Sequence, residues 1–345
     1  MNYCGIDVAS KSSYVYVMDE SGKKLSNGEV ATTKEGLVRR LRPYLAGGLA
    51  VAIEAGNQTA WIHDWLMEIG AQVTVVNPTK VKLIAESRKK TDKIDAKILC
   101  ELLRLNALPH PVHMPGKDIR ALRGLLVARR QLVSARAKLC HVVRGLLRQD
   151  GVRLPPREIA SFVGWQRVLA AGFAQPQMAL IVAAYYESFV TLTRSIRALE
   201  RDLAEFERRE PRVARLRTMP KVGPIAALTF VAAVDDVRRF PNSRKLVGYT
   251  GLAPSVRSSG ERTEYGRITR EGRAELRAVW VEIAHLVAAD TGRATAPLRK
   301  WFAQLAYRRG KKTAIVALAR RLLVIAYHLL RDETVYDPAR LKRVA

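Results

Sequence analysis

Short apolar runs separated by polar or glycine-containing breaks open the chain. Residues 3–9, YCGIDVA, read as a strand, 10–13 as a turn, and 14–19 as a second, alternating strand. The segment 22–24, GKK, reads as a hairpin turn and 25–30 as a third strand. Leu37, Val38, Leu41 and Leu45 recur at helical spacing, which predicts a short helix over 34–45. The nearly continuous apolar run LAVAIE predicts a buried strand at 49–54. A helix from about 59 to 69 follows, then a strand at 72–76 that ends at Asn77-Pro78. Three antiparallel strands, then strands alternating with helices, describe a mixed α/β sheet with helices packed on it.

Beyond a linker punctuated by Pro109, Pro111 and Pro115 the period changes. Between Lys117 and Arg148, Leu122, Leu125, Leu126, Leu132, Val133, Leu139, Val142, Val143 and Leu146 recur at steps that fit one long amphipathic helix. Pro155, Pro156, Gly164, Gly172 and Pro176 predict short helices and loops over 149–176. Trp165 there reads as a packing anchor, with base stacking as the alternative. A second long helix is predicted over 178–210. Its charged half, ALERDLAEFERRE, suits coiled-coil pairing with the first helix, in cis or in a dimer, and Pro211 ends it. Residues 216–233 place the turn PKVGP between two helical segments, resembling a helix-hairpin-helix whose second helix runs from Pro224 to just before Asp235. Residues 251–272 read as an arginine-rich loop, followed by helices at 274–290 and 313–330 and a short charged tail. The predicted domains are therefore 1–110, 117–210 and 211–335.

Charge changes the picture. The 345 residues carry 59 Lys+Arg against 32 Asp+Glu, a formal net of +27. Such an excess predicts attraction to polyanions and salt-sensitive binding. The cations cluster. Arg88, Lys89, Lys90 and Lys93 flank an acidic pair, and nine Lys+Arg lie on 117–148. Lys221 sits in the PKVGP turn, Arg257, Arg262, Arg267 and Arg270 in the 251–272 segment, and Arg308, Arg309, Lys311 and Lys312 near the end. Each group reads as a phosphate-binding surface or as a solvated face. Cys4, Cys100, Cys140 and six histidines show no zinc spacing, which favours core cysteines in a reducing compartment. No run of 18 apolar residues and no basic-then-apolar leader occur, so a soluble, cytoplasmic protein without membrane contact is expected.

Two sets of side chains carry candidate chemistry. Asp7 falls within the first strand and Glu54 ends the buried strand, where a carboxylate needs a partner or a metal. Asp92 and Asp95, three apart in KKTDKIDAKILCELLRL, point from one face of a helix. Four such oxygen donors would suit two magnesium ions, which promote phosphodiester cleavage. Turn and helix-cap carboxylates are the competing reading. The second set is Ser258 and Ser259 before Gly260, among arginines. A serine nucleophile needs a base or metal and nearby positive charge. A loop that merely binds phosphate fits the same residues.

The motifs GIDVAS (Asp7), AIEA (Glu54) and KTDKIDA (Asp92, Asp95) resemble, in order and character, the DEDD, RuvC-like domain of the IS110-family transposases. The block GLAPSVRSSGERTEYGRITREGRAELR resembles the Transposase-20 domain of the same family. Together the resemblance covers the first 100 residues and roughly 211–290. It implies an RNase H-like fold, then a helical coiled-coil region used for assembly and RNA contact, and a mostly α-helical C-terminal domain. It implies that Asp7, Glu54, Asp92 and Asp95 hold divalent metal, taken as Mg2+. Ser259 occupies the family's catalytic position, immediately before the glycine. The implied activity is transposition and recombination between double-stranded donor and target DNA through a 5′-phosphoserine-type link. The family also implies a structured non-coding guide RNA, a homo-dimer or homo-tetramer, and a prokaryotic enzyme associated with the nucleoid when acting. Two positions depart from pattern: Lys221 stands where the hairpin turn commonly has glycine, and Arg273 follows Gly272 where many members have asparagine. A metal-dependent junction endonuclease, with Ser259 only binding phosphate, and a non-catalytic nucleic-acid-binding accessory protein are the alternatives.

Overall fold

Cys4 and Ile6, alternate residues of the first strand, are apolar and fully buried, and this fixes which way the sheet faces. The computed structural model describes residues 1–84, 91–173, 175–259 and 262–339. Its first elements are β1 (Asn2–Asp7), β2 (Ser12–Met18), β3 (Lys24–Ala31), α1 (Lys34–Leu45), β4 (Leu49–Glu54), α2 (Thr59–Glu68), β5 (Gln72–Val76), α3 (Pro78–Ile84) and α4 (Asp92–Arg104). The strands lie in the order β3-β2-β1-β4-β5. β1 pairs antiparallel with β2 and parallel with β4, which pairs parallel with β5. Cys4, Ile6, Val51 and Ile53 point to one face, where Leu37, Leu41, Ile62 and Leu66 of α1 and α2 cover them. Thr33 starts α1 by accepting a hydrogen bond from the Gly36 amide. The opposite face carries α4, whose Ala96, Leu99 and Cys100 are buried against it. This mixed sheet agrees with the pattern reading, with one shift: Asp7 is the last residue of β1, at the carboxyl end, not its middle.

The chain divides into two units, Met1–Pro115 and Gly116–Ala345, at the proline-rich segment. The second unit is almost wholly helical. It comprises α5 (Lys117–Gln149), α6 (Phe162–Ala170), α7 (Pro176–Arg209), α8 (Pro211–Arg217), α9 (Pro224–Val234) and α10 (Ser243–Tyr249). The hairpin strands β6 (Pro254–Ser259) and β7 (Arg262–Ile268) follow, then α11 (Ala274–Ala289), α12 (Ala296–Arg309) and α13 (Lys311–Arg331). α5 and α7 lie side by side and antiparallel within the chain: Arg129 pairs with Glu200 at 2.7 Å, and seven residues on Arg136 donates to Thr193, seven residues back. Their far end is closed by Trp165 of α6, fully buried against Tyr186 and Phe189. Trp165 is a packing residue here.

α9 is apolar on all sides, and every residue from Ala227 to Val234 is buried. It forms the centre of a core with α11 and α13, in which Phe230 meets Trp280 edge-on. Among the described residues, α13 alone is long and apolar enough to cross a membrane by length and composition. Arg320 and Arg321 interrupt it, and its apolar residues, Leu318, Leu322, Leu323 and Ala326 among them, belong to this core, so a membrane protein is not indicated.

In the second unit, three elements differ from the pattern reading. Pro211 not only ends α7 but also opens α8, at the first helical turn, where its missing N–H costs nothing. The arginine-rich stretch after residue 251 is a two-stranded hairpin, not a loop. Residues 255–258 and 263–267 of that hairpin are all exposed, so no alternation of apolar residues announces it. α12 has no counterpart in the pattern reading, which places helices at 274–290 and 313–330; only Leu298 of its residues is fully buried.

Candidate functional site

In the first unit, Ile6 pairs with Ile53 in the β1–β4 register, so the next residues along, Asp7 and Glu54, end neighbouring parallel strands side by side. They continue the face of Gly5 and Ala52, the face that α4 covers. Gly5 is where the helix touches the sheet. A Cβ there would overlap the Ala96 carbonyl oxygen and stand 2.6 Å from the Cys100 amide nitrogen. The Cys100 thiol reaches the Tyr3 carbonyl at 3.2 Å. α4 therefore runs antiparallel to β1, and its first turn lies toward the strand end that holds Asp7. Thr91 caps that turn by accepting from the Ile94 amide. Asp92 is exposed and Asp95 half-buried, both in this first turn. Carboxylates there also oppose the positive end of the helix dipole.

These four side chains come from two strand ends and one helix start at one end of one sheet face. In open α/β sheets that end is the usual position of a ligand. The donor set is all carboxylate, the chemistry of a hard divalent ion. Among the described residues no three acidic, histidine or cysteine side chains close into a group able to hold a metal. The residues fit the ion in kind, and the described side chains do not close into a cage around it. Lys93 is exposed beside them. Arg88, Lys89 and Lys90 lie outside the described residues.

In the second unit the hairpin rises from a tightly closed base. Thr269 donates to the Ala253 carbonyl, Arg270 to that of Gly251, and Arg273 to that of Tyr249. Gly272 adopts φ +94°, and a Cβ on it would overlap the Tyr249 carbonyl, so both conformation and space require glycine. Arg270 is exposed at φ +59°. Arg273 begins α11 without a side-chain cap; its Nε instead donates to the Tyr249 hydroxyl at 3.0 Å and it faces Glu275. Up the hairpin, Val256 pairs with Tyr265, Arg257 with Glu264, Ser258 with Thr263 and Ser259 with Arg262. Arg257 and Arg267 are exposed. Ser258 shares a 3.0 Å hydrogen bond with Thr263 across the strands. Ser259 is the last residue of β6, at the open end; Gly260 lies outside the described residues.

Several predicted phosphate contacts are already engaged. Lys221 takes φ +66° in the turn between α8 and α9, the conformation that favours glycine, and its ammonium lies 2.7 Å from Asp290. That hydrogen bond, with a second from Thr295, holds the Asp290 carboxyl down at about 2. Of the α5 cations, Arg129 and Arg136 bind α7, Arg144 binds the Pro155 carbonyl, and Arg123 donates to the carbonyls of Ala232 and Ala233. Arg123 belongs to a clamp on the end of α9. Arg239 donates to Val234, Arg212 to Asp235 and the Tyr249 hydroxyl to Ala233. A buried apolar helix leaves its last carbonyls without water, and these side chains satisfy them. The sequence reading missed this use of arginine. On α5, Arg130, Lys138 and Arg148 remain exposed. Arg308 and Arg309 end α12, and Lys311 and Lys312 begin α13; all four are exposed.

Comparison with known proteins assigns both halves. Residues 4–150 match the model of the DEDD domain of IS110 elements, described as Transposase, and residues 213–299 match that described as Transposase IS116/IS110/IS902 family. A "Probable family 20 transposase" of Pseudomonas aeruginosa is 28% identical over 97% of this chain and 98% of its own length. The transposase of insertion sequence element IS1111A from Coxiella burnetii is 26% identical over 96% of this chain and 90% of its own. That of IS1328 from Yersinia enterocolitica is 24% identical over 96% and 98%. The DEDD domain suggests dependence on a divalent metal, and the family implies DNA substrates. With both family domains present in order along one chain, the protein belongs to the IS110 family of transposases and is a DNA-recombining enzyme.

Proposed function

We propose that this transposase cuts and rejoins DNA by metal-assisted attack of Ser259 on a phosphodiester, under the direction of a structured non-coding RNA. The reading gives the first unit an RNase H-like, RuvC-like fold. Asp7, Glu54, Asp92 and Asp95 are the residues that would hold magnesium there. When bound, the ion would neutralise charge on the phosphate and favour ionisation of an attacking oxygen. The observation that carries the reading is the register that ends β1 and β4 on adjacent carboxylates, with the first turn of α4 at the same end.

Ser259 supplies the nucleophile. Its hydroxyl loses a proton to a base, the oxygen bonds to phosphorus, and the bond from phosphorus to the 3′-oxygen breaks. That oxygen takes up a proton and leaves as a 3′-hydroxyl, while the 5′-phosphate stays on the serine. Attack by the 3′-hydroxyl of another strand reverses the step, releases Ser259 and keeps the bond energy. Ser258, bonded to Thr263, serves the hairpin. The exposed Arg257 and Arg267 on the hairpin support the charge that develops. Exposed cations on α5, α12 and α13 supply the salt-sensitive affinity for DNA and guide RNA. Lys221, tied to Asp290, does not contact phosphate while that pair is intact. A homo-dimer or homo-tetramer would present two or more serines to donor and target strands.

A strand-transfer assay tests the reading. Full-length protein, RNA transcribed from the DNA flanking its gene, and labelled donor and target duplexes are mixed with magnesium or with EDTA. Joined product that needs magnesium, the RNA, Asp7 and Ser259 supports it. Cut, unjoined ends with Ser259→Ala as active as wild type would replace it with a hydrolytic junction endonuclease.

A further inference from the structure

The second unit treats its arginine clusters in two ways. Around the α7–α8 junction they are neutralised: Arg208 and Arg209 pair with Glu205, Arg217 with Glu207, Arg212 with Glu210 and Arg215 with Glu333. At the corner joining α12 to α13 they are not. No acidic residue occurs between Asp290 and Asp332. Among the described residues no carboxylate pairs with Arg308, Arg309, Lys311 or Lys312, and every residue from Tyr307 to Thr313 is exposed.

Two further features have no use in packing. Lys311 and Lys312 occupy the first turn of α13, where the helix dipole repels cations, and no side chain caps that end. Tyr307, in the last turn of α12, is 93% exposed. A tyrosine ring left in water beside four uncompensated cations buries nothing in the unit's own core. It is the combination found where a nucleic-acid strand lays phosphates on cations and a base on an aromatic face.

We propose that this corner binds single-stranded nucleic acid, with its phosphates on Arg308, Arg309, Lys311 and Lys312 and an unpaired base stacked on Tyr307. The proposal rests on the nucleic-acid reading of these four cations and adds the strand and its contact residue. A duplex offers phosphates to the cations but keeps its base faces stacked within the helix, so Tyr307 discriminates between the two. Stacking and phosphate contact are shared by DNA and RNA, and either strand has the required chemistry.

The test uses full-length protein and oligonucleotides of about a dozen nucleotides carrying 2-aminopurine. Single-stranded DNA, single-stranded RNA and a duplex of the same sequence are titrated at several salt concentrations. Binding of a single strand should change the fluorescence of the stacked probe. Tyr307→Ala should lower single-strand affinity about tenfold, abolish that change and leave duplex affinity in place, while Tyr307→Phe should keep all three. Dependence on Tyr307 with RNA alone, or with DNA alone, supports the proposal and identifies the strand. Replacing the four cations with glutamine should weaken every probe and flatten the salt dependence. If the cation variant weakens binding but Tyr307→Ala changes neither affinity nor fluorescence, the stacking proposal is overturned and the phosphate reading stands. If the cation variant changes nothing, both are overturned.

Discussion

Gly5 of β1 lies against the backbone of Ala96 in α4, with no room between them for a methyl group. One atom of side chain at Gly5 would lift the helix that carries Asp92 and Asp95 away from the strand that ends in Asp7. Gly5→Ala is expected to destabilise the first unit by about 1–3 kcal/mol through overpacking. Strand transfer should be lost while DNA affinity is retained. Thermal unfolding and binding measured on the same preparation check this; a variant with unchanged melting and full activity would show that the contact is not what positions the helix.

Two adjacent serines are assigned different roles. Ser258→Ala removes one exposed hydrogen bond, to Thr263, and should change strand-transfer rate by no more than about threefold. Ser259→Ala should remove it entirely. Equal loss in both variants would mean that the hairpin's shape, not one hydroxyl, is being measured.

Arg123 and Arg130 are on the same helix but have different work. Arg123 donates to the last carbonyls of α9, and Arg123→Ala should cost about 1–3 kcal/mol of stability. The exposed Arg130 should cost less than about 0.5 kcal/mol when replaced by alanine. For nucleic acid the order reverses: loss of Arg130 should reduce the slope of affinity against salt, and loss of Arg123 should not.

The Lys221–Asp290 pair makes a pH prediction. The folded carboxyl sits at about 2, below its ordinary value of 3.8, so the pair stabilises the folded state above pH 4. That contribution is lost as pH falls from about 4 through 2, because the unfolded chain takes up the proton first. Melting temperatures of wild type and Asp290→Asn should differ at pH 5–7 and converge toward pH 2. A constant difference would mean that the aspartate acts through its shape or through Thr295 alone.

Much of the first unit was legible because one face of its sheet is buried beneath α1 and α2. Ile6, Val51 and Ile53 must be apolar, and the runs that hold them reveal the strands, while the register comes from the fold. Asp7 and Glu54 were conspicuous as charged residues inside and at the end of such runs. The hairpin was illegible for the opposite reason. Its Val256 and Tyr265 are exposed, and no period marks its strands. Arginine was the hardest residue to read. Arg123, Arg212 and Arg239 look in sequence like Arg308 and Arg309, yet the first three bind carbonyls at the end of α9 and at its cap, Asp235. Only the fold separates a cation that closes a helix end from one left for a phosphate.

The most direct measurement of the central claim is the residue that becomes covalently joined to DNA. Full-length protein, guide RNA, magnesium and labelled donor and target duplexes are mixed, denatured, digested and mapped by peptide mass spectrometry. The account predicts a 5′-phosphodeoxynucleotide on Ser259, absent from Asp7→Asn and from reactions with EDTA. Joined or cut DNA with no adduct on the 254–268 hairpin would contradict it.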